Sequence, residues 1–301
     1  MANTTEWTAE QAPDQSGKIA IVTGSNSGIG FVTARELAKK GAHVILACRN
    51  ESKAETAKQT IDAENPSGKI EVMALDLANL NLVRTFAKKF KKKHKKLDIL
   101  CNNAGVMAIP FQKTADGFEM QFGTNHYGHF ALTALLIDRI LATKGARIVN
   151  VSSLAHKTGF MDFENINGEL RYSKWAAYGM SKLANLLFTY ETARRLEAKG
   201  ANVITTAAHP GWTATNLQNS VKMASVANFL VAQDEDMGAL PQLYACTADD
   251  VNNGDYFGPA RWREMRGYPK RVESNSRSHD KDAAKRLWEL SEKVTETELL
   301  N

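Results

Sequence analysis

The sequence is short of the residues that staple, ligate or span. Its three cysteines, Cys48, Cys101 and Cys246, sit in apolar surroundings without paired or metal-ligand spacing. That argues against a disulfide framework and against zinc, and fits a reducing compartment. No HExxH or comparable pair occurs, so no metal is assigned. No apolar run reaches the roughly 18 residues of a membrane span. Residues 1–16 are polar and lack the apolar stretch of a signal peptide. The expectation is a soluble, cytoplasmic protein whose residues 1–16 form a flexible tail, with Trp7 the one residue against it. Charge of one sign is scarce as well: 38 basic and 33 acidic residues leave a net +5, too mild to mark a nucleic-acid binder. The local exception is residues 88–96, where seven of nine are lysine. Phe86, Ala87 and Phe90 make this the solvated face of a helix, and contact with an anionic surface is the lesser reading. No repeat or low-complexity linker divides the chain.

What is present is ordinary globular material, 43% hydrophobic and 24% charged over 301 residues, enough for one large α/β domain over residues 17–301. The chain is organised around residues 18–40. An apolar run, Ile19 to Val22, meets Thr23-Gly24-Ser25-Asn26-Ser27-Gly28-Ile29-Gly30, and Val32, Leu37 and Ala38 then recur at helical spacing. A run without polar alternation suits a strand covered on both faces. Glycines at its carboxyl end permit a tight turn and close approach of a pyrophosphate, to which a helix start offers free N–H groups and partial positive charge. A dinucleotide is the expected ligand, although three glycines alone also fit an ordinary turn.

The second strand, His43–Cys48, ends at Arg49. At that place an acid holds an adenosine 2′-hydroxyl and an arginine accommodates a 2′-phosphate, so NADP is expected; Glu51 keeps NAD open. Further strands end at Asp76-Leu77, where Asp76 reads equally as a helix cap, and at Asn102-Asn103-Ala104-Gly105. A long helical pattern over residues 116–141 carries Asn125, either as a satisfied core amide or as a site residue. The strand Arg147 to Val151 delivers Ser152 and Ser153. The helix from Trp175 to Lys199 places Tyr178 and Lys182 four apart, on one face. The strand Asn202 to Ala208 ends in His209-Pro210-Gly211-Trp212-Thr213, and His209 reads as a local hydrogen-bonding residue. Residues 223–232, within the stretch near 213–235, fit a substrate-covering helix or a core helix equally. A helix near 237–248, a strand at Tyr256-Phe257 and a last helix from Lys281 to Lys293 follow. Alternating strands and helices with short links predict a doubly wound parallel sheet, with the named residues on its ligand-binding carboxyl edge.

Taken together, TGSNSGIG, Asp76-Leu77, NNAG, Asn125, Ser153, YGMSK and HPG resemble, in order and over about residues 17–260, the short-chain dehydrogenase/reductase family with its Rossmann-type fold. ACRN, RIVNVSSLAH and YGMSKLAN are similar to its retinol dehydrogenase and WW-domain oxidoreductase branch, without a WW domain. The resemblance implies Tyr178 as proton donor, Lys182 as its electrostatic partner and ribose ligand, Ser153 rather than Ser152 as the hydrogen bond to substrate oxygen, and Asn125 as holder of a relay water. It implies Gly24, Ser25, Asn26, Ser27, Gly28, Ile29 and Gly30 around pyrophosphate and ribose. Asp76 and Leu77 then face the adenine, Asn103, Ala104 and Gly105 the ribose, and Pro210, Gly211 and Thr213 the nicotinamide end. A dimer or tetramer on the Asn125 and Tyr178 helices is also implied. Ser153 and Tyr178 lie 25 residues apart, where many members have about half that, so the extra residues 158–174, including Phe160, Phe163 and Trp175, reshape the substrate mouth.

The chemistry follows without the name. Reducing a carbonyl leaves an alkoxide that needs a proton, and tyrosine, with a pKa of about 10, is a poor base near neutrality. An ammonium about 5 Å away, at effective dielectric about 20, stabilises tyrosinate by about 3 kcal/mol. The expected activity is NADP-dependent interconversion of carbonyl and alcohol on a lipophilic small molecule. A catalytically idle NADP sensor or scaffold on the same fold is the alternative, and the complete Asn, Ser, Tyr and Lys set weighs against it.

Overall fold

The apolar run at the start of the chain forms β1 (Ile19–Thr23), and everything else is laid out on either side of it. The other strands are β2 (His43–Cys48), β3 (Lys69–Ala74), β4 (Ile99–Asn102), β5 (Ala146–Val151), β6 (Val203–Ala208), β7 (Tyr256–Arg261) and β8 (Arg266–Arg271). They form one eight-stranded sheet in the order β3-β2-β1-β4-β5-β6-β7-β8. This is a computed structural model describing residues 6–213 and 232–301. The stretch 223–232 therefore lies, except for Ala232, outside the described residues.

Helices α1 (Gly28–Lys39), α2 (Glu51–Ala63), α3 (Leu80–Lys93), α4 (Met120–Phe122), α5 (Gly128–Leu141), α6 (Lys174–Ala198), α7 (Glu235–Thr247) and α8 (Lys281–Thr295) cover both faces. The two-residue period of β1 splits its side chains between two cores. Ile21 joins Phe86, Phe130 and Trp288 on one face. Ala20 and Val22 join Leu37, Ile61 and Leu243 on the other. From β1 the chain winds first toward β2 and β3, then returns to β4 and continues the other way. That reversal opens a crevice above the carboxyl ends of β1 and β4, where ligands of such sheets sit.

The lysines of α3 stand opposite a buried stripe of Leu80, Val83, Phe86, Ala87 and Phe90. Lys91 pairs with Asp138 at 3.1 Å and Lys93 with Glu71 at 2.7 Å, and just beyond the helix Lys96 pairs with Asp98 at 3.1 Å. Among the described residues no helix is long and apolar enough to cross a membrane.

Three expectations are corrected and one strand is added. The tail is not loose from Glu6 onward: Trp7 packs edge-on against Tyr244 of α7, with ring centroids 4.9 Å apart. Ala12 and Gln15 are buried, and Gln15 N–H donates to the Lys40 carbonyl at 2.7 Å. An aromatic with an apolar partner on a neighbouring helix outweighs the polar composition around it. The 116–141 helix begins only at Met120, because Asp116 turns away to accept from Leu80 N at the start of α3 (2.9 Å). It is also interrupted by a π-helical turn, Gly123–Tyr127. Finally, β8 runs antiparallel to β7, since a four-residue connection cannot provide the crossover that a parallel pair needs.

Candidate active site

The glycine turn is shaped by space as much as by flexibility. Gly24 has φ +67°, and a Cβ on it would stand 2.9 Å from the Ala104 Cα. At Gly30 an added Cβ would meet the Asn103 amide nitrogen and stand 2.7 Å from the Gly24 carbonyl. The turn is thus pressed against the loop after β4, which brings TGSNSGIG and NNAG into one cradle. Ser27 caps α1 without a side-chain hydrogen bond, which leaves first-turn N–H groups directed at the crevice. These features fit a pyrophosphate. Ser25 is buried, and its hydroxyl donates to the Val22 carbonyl at 2.8 Å. Asn26 is half-buried, and Ile29 is buried against Val32, Val151 and Ala239.

Beyond the turn, Asn26, Ser27 and Gly28 form one wall of a groove of about 410 Å³ whose other wall is α2, with Lys53, Thr56 and Thr60. Arg49 is exposed at the end of β2, next to Asn50, whose side chain caps α2 by accepting from Lys53 N at 2.9 Å. Lys53 escaped the sequence reading. Its signal was a cation in the first turn of a helix, where the dipole favours acids.

Asp76 accepts from Ala78 N at 2.9 Å, closing its own turn, while Asn79 caps α3. Leu77 is buried. Asn103 donates from Nδ2 to the Thr23 carbonyl at 2.7 Å and accepts from Gln242 at 3.2 Å. Ala104 and Gly105 continue toward Asn125. A Cβ on Gly105 would stand 3.1 Å from Asn125 Oδ1 and 3.6 Å from Lys182 Nζ, so three distant stretches of sequence meet at this point. The Asn125 amide is fully engaged: Oδ1 accepts from Val106 N (2.8 Å), and Nδ2 donates to the Val106 carbonyl (3.0 Å) and to Ser181 Oγ (2.9 Å). Its position in the π-helical turn is what turns it toward this loop.

The two serines after β5 part company. Ser152 is buried and donates to the Lys182 carbonyl at 2.9 Å. Ser153 accepts from Ala155 N at 3.2 Å, and its hydroxyl is turned to the Tyr178 phenol. On α6, Tyr178 and Lys182 are both buried, with the Lys182 ammonium 5.8 Å from the centre of the Tyr178 ring. That ammonium donates to the Val151 carbonyl at 3.0 Å, and Asn185 donates to the same oxygen at 3.1 Å. Burial brings the Lys182 pKa down to about 8. Burial also raises the Tyr178 pKa above 10, partly offset by the Ser153 hydroxyl. Loss of water thus dominates at this phenol.

At the end of β6, His209 is buried and its tautomer is fixed. Nδ1 accepts from Gly211 N at 3.2 Å, so the proton is on Nε2, facing Glu264 Oε2 at 3.2 Å. Glu264 also meets Lys157 at 3.3 Å, on the stretch after Ser153. It is held in the hairpin turn between β7 and β8, where Trp262, Arg263 and Glu264 all have left-handed φ, a conformation non-glycine residues adopt at some strain. The Pro210 carbonyl accepts from Thr213 Oγ1 (2.7 Å) and from Gln233 Nε2 (2.8 Å). Thr213 and Gln233, on either side of the undescribed residues, thereby share one anchor.

A sheet with its crevice at the β1/β4 reversal, a glycine-lined helix start there, and a buried tyrosine and lysine beside it define a dinucleotide-binding α/β enzyme. The chain belongs to the short chain dehydrogenase family, whose pattern matches residues 18–225. It is 42% identical to mouse (Mus musculus) retinol dehydrogenase 12 over 280 residues, 91% of this chain and 85% of the relative. It is 40% identical to human (Homo sapiens) retinol dehydrogenase 13 over 291 residues, covering 92% and 84%. Among solved structures, an uncharacterized protein from Mycobacterium Paratuberculosis superposes with a TM-score of 0.83 at 44% identity, covering 98% of this chain and 99% of that one.

Proposed function

We propose that this short-chain dehydrogenase/reductase is NADP-dependent and interconverts alcohol and carbonyl groups on a lipophilic, retinoid-like small molecule. The observation that carries the reading is the convergence of Ser153, Tyr178 and Lys182 at the sheet edge where the Gly24–Gly30 cradle fits a dinucleotide. When bound, the nicotinamide cofactor gives or takes the hydride. The Tyr178 phenol donates its proton to the substrate oxygen, and the Ser153 hydroxyl, turned to the same point, holds that oxygen where charge develops. Lys182 stabilises the phenolate left behind and would hold the ribose hydroxyls of a bound cofactor. Asn125 fixes the loop at Val106 between them. Pro210, Gly211 and Thr213 would hold the nicotinamide end, braced by His209. Likeness to retinol dehydrogenases supports the substrate class. So do Phe160, Leu170 and Trp175, which stand exposed on and beside the extended 158–174 connection.

Cofactor choice rests on Arg49, with Lys53 in the first turn of the helix that follows it. NADP(H) is expected to be preferred by about ten- to a hundredfold in kcat/KM, the worth of one charge-assisted contact. Arg49→Ala removes most of that preference with little change in maximal NADH turnover, because the contact lies far from the reacting carbon. The measurement is kcat/KM for both cofactors with a polyene aldehyde, in parent and variant. A parent that prefers NADH, or a variant that keeps the parent's ratio, removes Arg49 from phosphate recognition and turns attention to Glu51.

A further inference from the structure

One buried histidine touches both halves of the cradle without reaching the crevice. His129 lies one turn beyond Asn125 and is 2% exposed. Its Nε2 stands 2.9 Å from Thr23 Oγ1, and its Nδ1 stands 3.0 Å from the Asn125 carbonyl oxygen. Counting protons settles the tautomer. The Thr23 hydroxyl accepts from Asn103 N and Ala104 N, both at 2.9 Å, which occupies its two lone pairs. Its single proton then has two acceptors in reach, the Cys101 carbonyl at 3.4 Å and His129 Nε2 at 2.9 Å. The shorter contact takes it. Nε2 is therefore bare, and the ring proton sits on Nδ1, facing a carbonyl oxygen that can only accept. Burial, with Lys182 nearby adding to it, brings the His129 pKa down to about 4, so the ring is neutral wherever the protein works.

The loop after β4 is gripped twice through this one ring. At Asn103 and Ala104 it hangs from Thr23, whose proton is given to His129. At Val106 it is clasped by the Asn125 amide, and the Asn125 backbone is held by His129 from the other side. We propose that His129, as its Nδ1–H tautomer, is a positioning residue that locks the Asn125 turn to the Thr23–Gly24 and Asn103–Gly105 segments, so that cofactor binding and the placement of Asn125 beside Lys182 are coupled. The coupling rests on the dinucleotide reading of the cradle.

The test joins a spectroscopic readout of the ligand-free protein to cofactor titration. Long-range proton–nitrogen correlation on histidine-labelled protein is expected to show His129 protonated at Nδ1 alone from pH 6 to pH 9, with ring shifts that move when NADPH is added; Nε2 protonation overturns the proposal. His129→Leu loses both contacts, and NADPH binding followed by fluorescence is expected to weaken by about tenfold or more. His129→Asn places an amide N–H where Nδ1 stood. It is expected to recover the turnover of cofactor-saturated enzyme while its NADPH affinity stays weak, a split that mere loss of stability does not produce. Variants that bind NADPH like the parent, or that both lose turnover equally, overturn the proposal. A parent that binds neither NADPH nor NADH brings down the dinucleotide reading instead. Should His129→Leu fail to fold, the tautomer and the Asn variant still decide.

Discussion

Tyr178→Phe is expected to fold, bind cofactor and lose about a hundred- to ten-thousandfold in kcat, the usual contribution of a positioned general acid. The ring remains in place beneath Trp175, whose centroid is 6.3 Å away, so packing is retained. The Ser153 hydroxyl keeps its Ala155 contact and loses the phenol as an acceptor at a half-buried position, so stability should change by no more than about 1 kcal/mol. Because burial raises the phenol's pKa above its ordinary 10, the proton stays in place throughout the neutral range. Carbonyl reduction should therefore be nearly flat with pH there, while alcohol oxidation, which needs the phenolate, should climb as pH rises. Steady-state rates in both directions, for parent and variant, check this. Near-normal turnover in the variant would remove Tyr178 from the mechanism.

Lys182→Met is expected to make the ligand-free protein more stable and the enzyme worse. A lysine whose pKa falls from 10.5 to about 8 on folding is held in its charged form against the preference of its surroundings. Below pH 8 both folded and unfolded chains carry the proton, and the penalty is full, about 3 kcal/mol for a shift of this size. Between about pH 8 and 10.5 the folded protein sheds the proton while the unfolded chain keeps it, so the parent gains stability as pH rises through that window. The methionine variant fills similar volume without charge and should lack that slope. The Val151 carbonyl is not orphaned, since Asn185 still donates to it. Thermal unfolding from pH 6 to pH 11 should show the variant several degrees higher at neutrality and the two curves converging in alkali. Cofactor affinity and turnover should both fall. A variant less stable than the parent at pH 7 would mean that the buried ammonium is better compensated than its surroundings imply.

The parts that were legible in the sequence are those whose neighbours lie close along the chain. Ile19 to Val22 followed by glycines reads as strand, turn and helix because both faces of a central strand need apolar cover. Tyr178 and Lys182 share a helix face by spacing alone. What stayed hidden depends on partners far away. Ser25 looked available until the Val22 carbonyl claimed its hydroxyl. Arg266 to Arg271 drew no strand expectation, since glycine and proline are depleted in strands, yet pairing with β7 makes it one. The π-helical turn at Asn125 has no signature in periodicity, as one extra residue in a turn barely shifts the apolar pattern. His129 was not singled out, because its partner is Thr23, over a hundred positions earlier.

The strands at the two margins of the sheet bear on how the protein behaves in a crowded solution. On β8, Pro269 faces Pro259 in register, and a proline has no N–H to extend a ladder. Arg266, Lys270 and Arg271 add like charge along the same margin. On β3, Lys69 and Glu71 break the apolar run, and Glu71 is occupied by Lys93. A second chain approaching either margin meets missing donors or committed charge, which is how natural sheets avoid joining edge to edge. A concentrated preparation should therefore resist fibrous aggregation as long as the sheet stays folded.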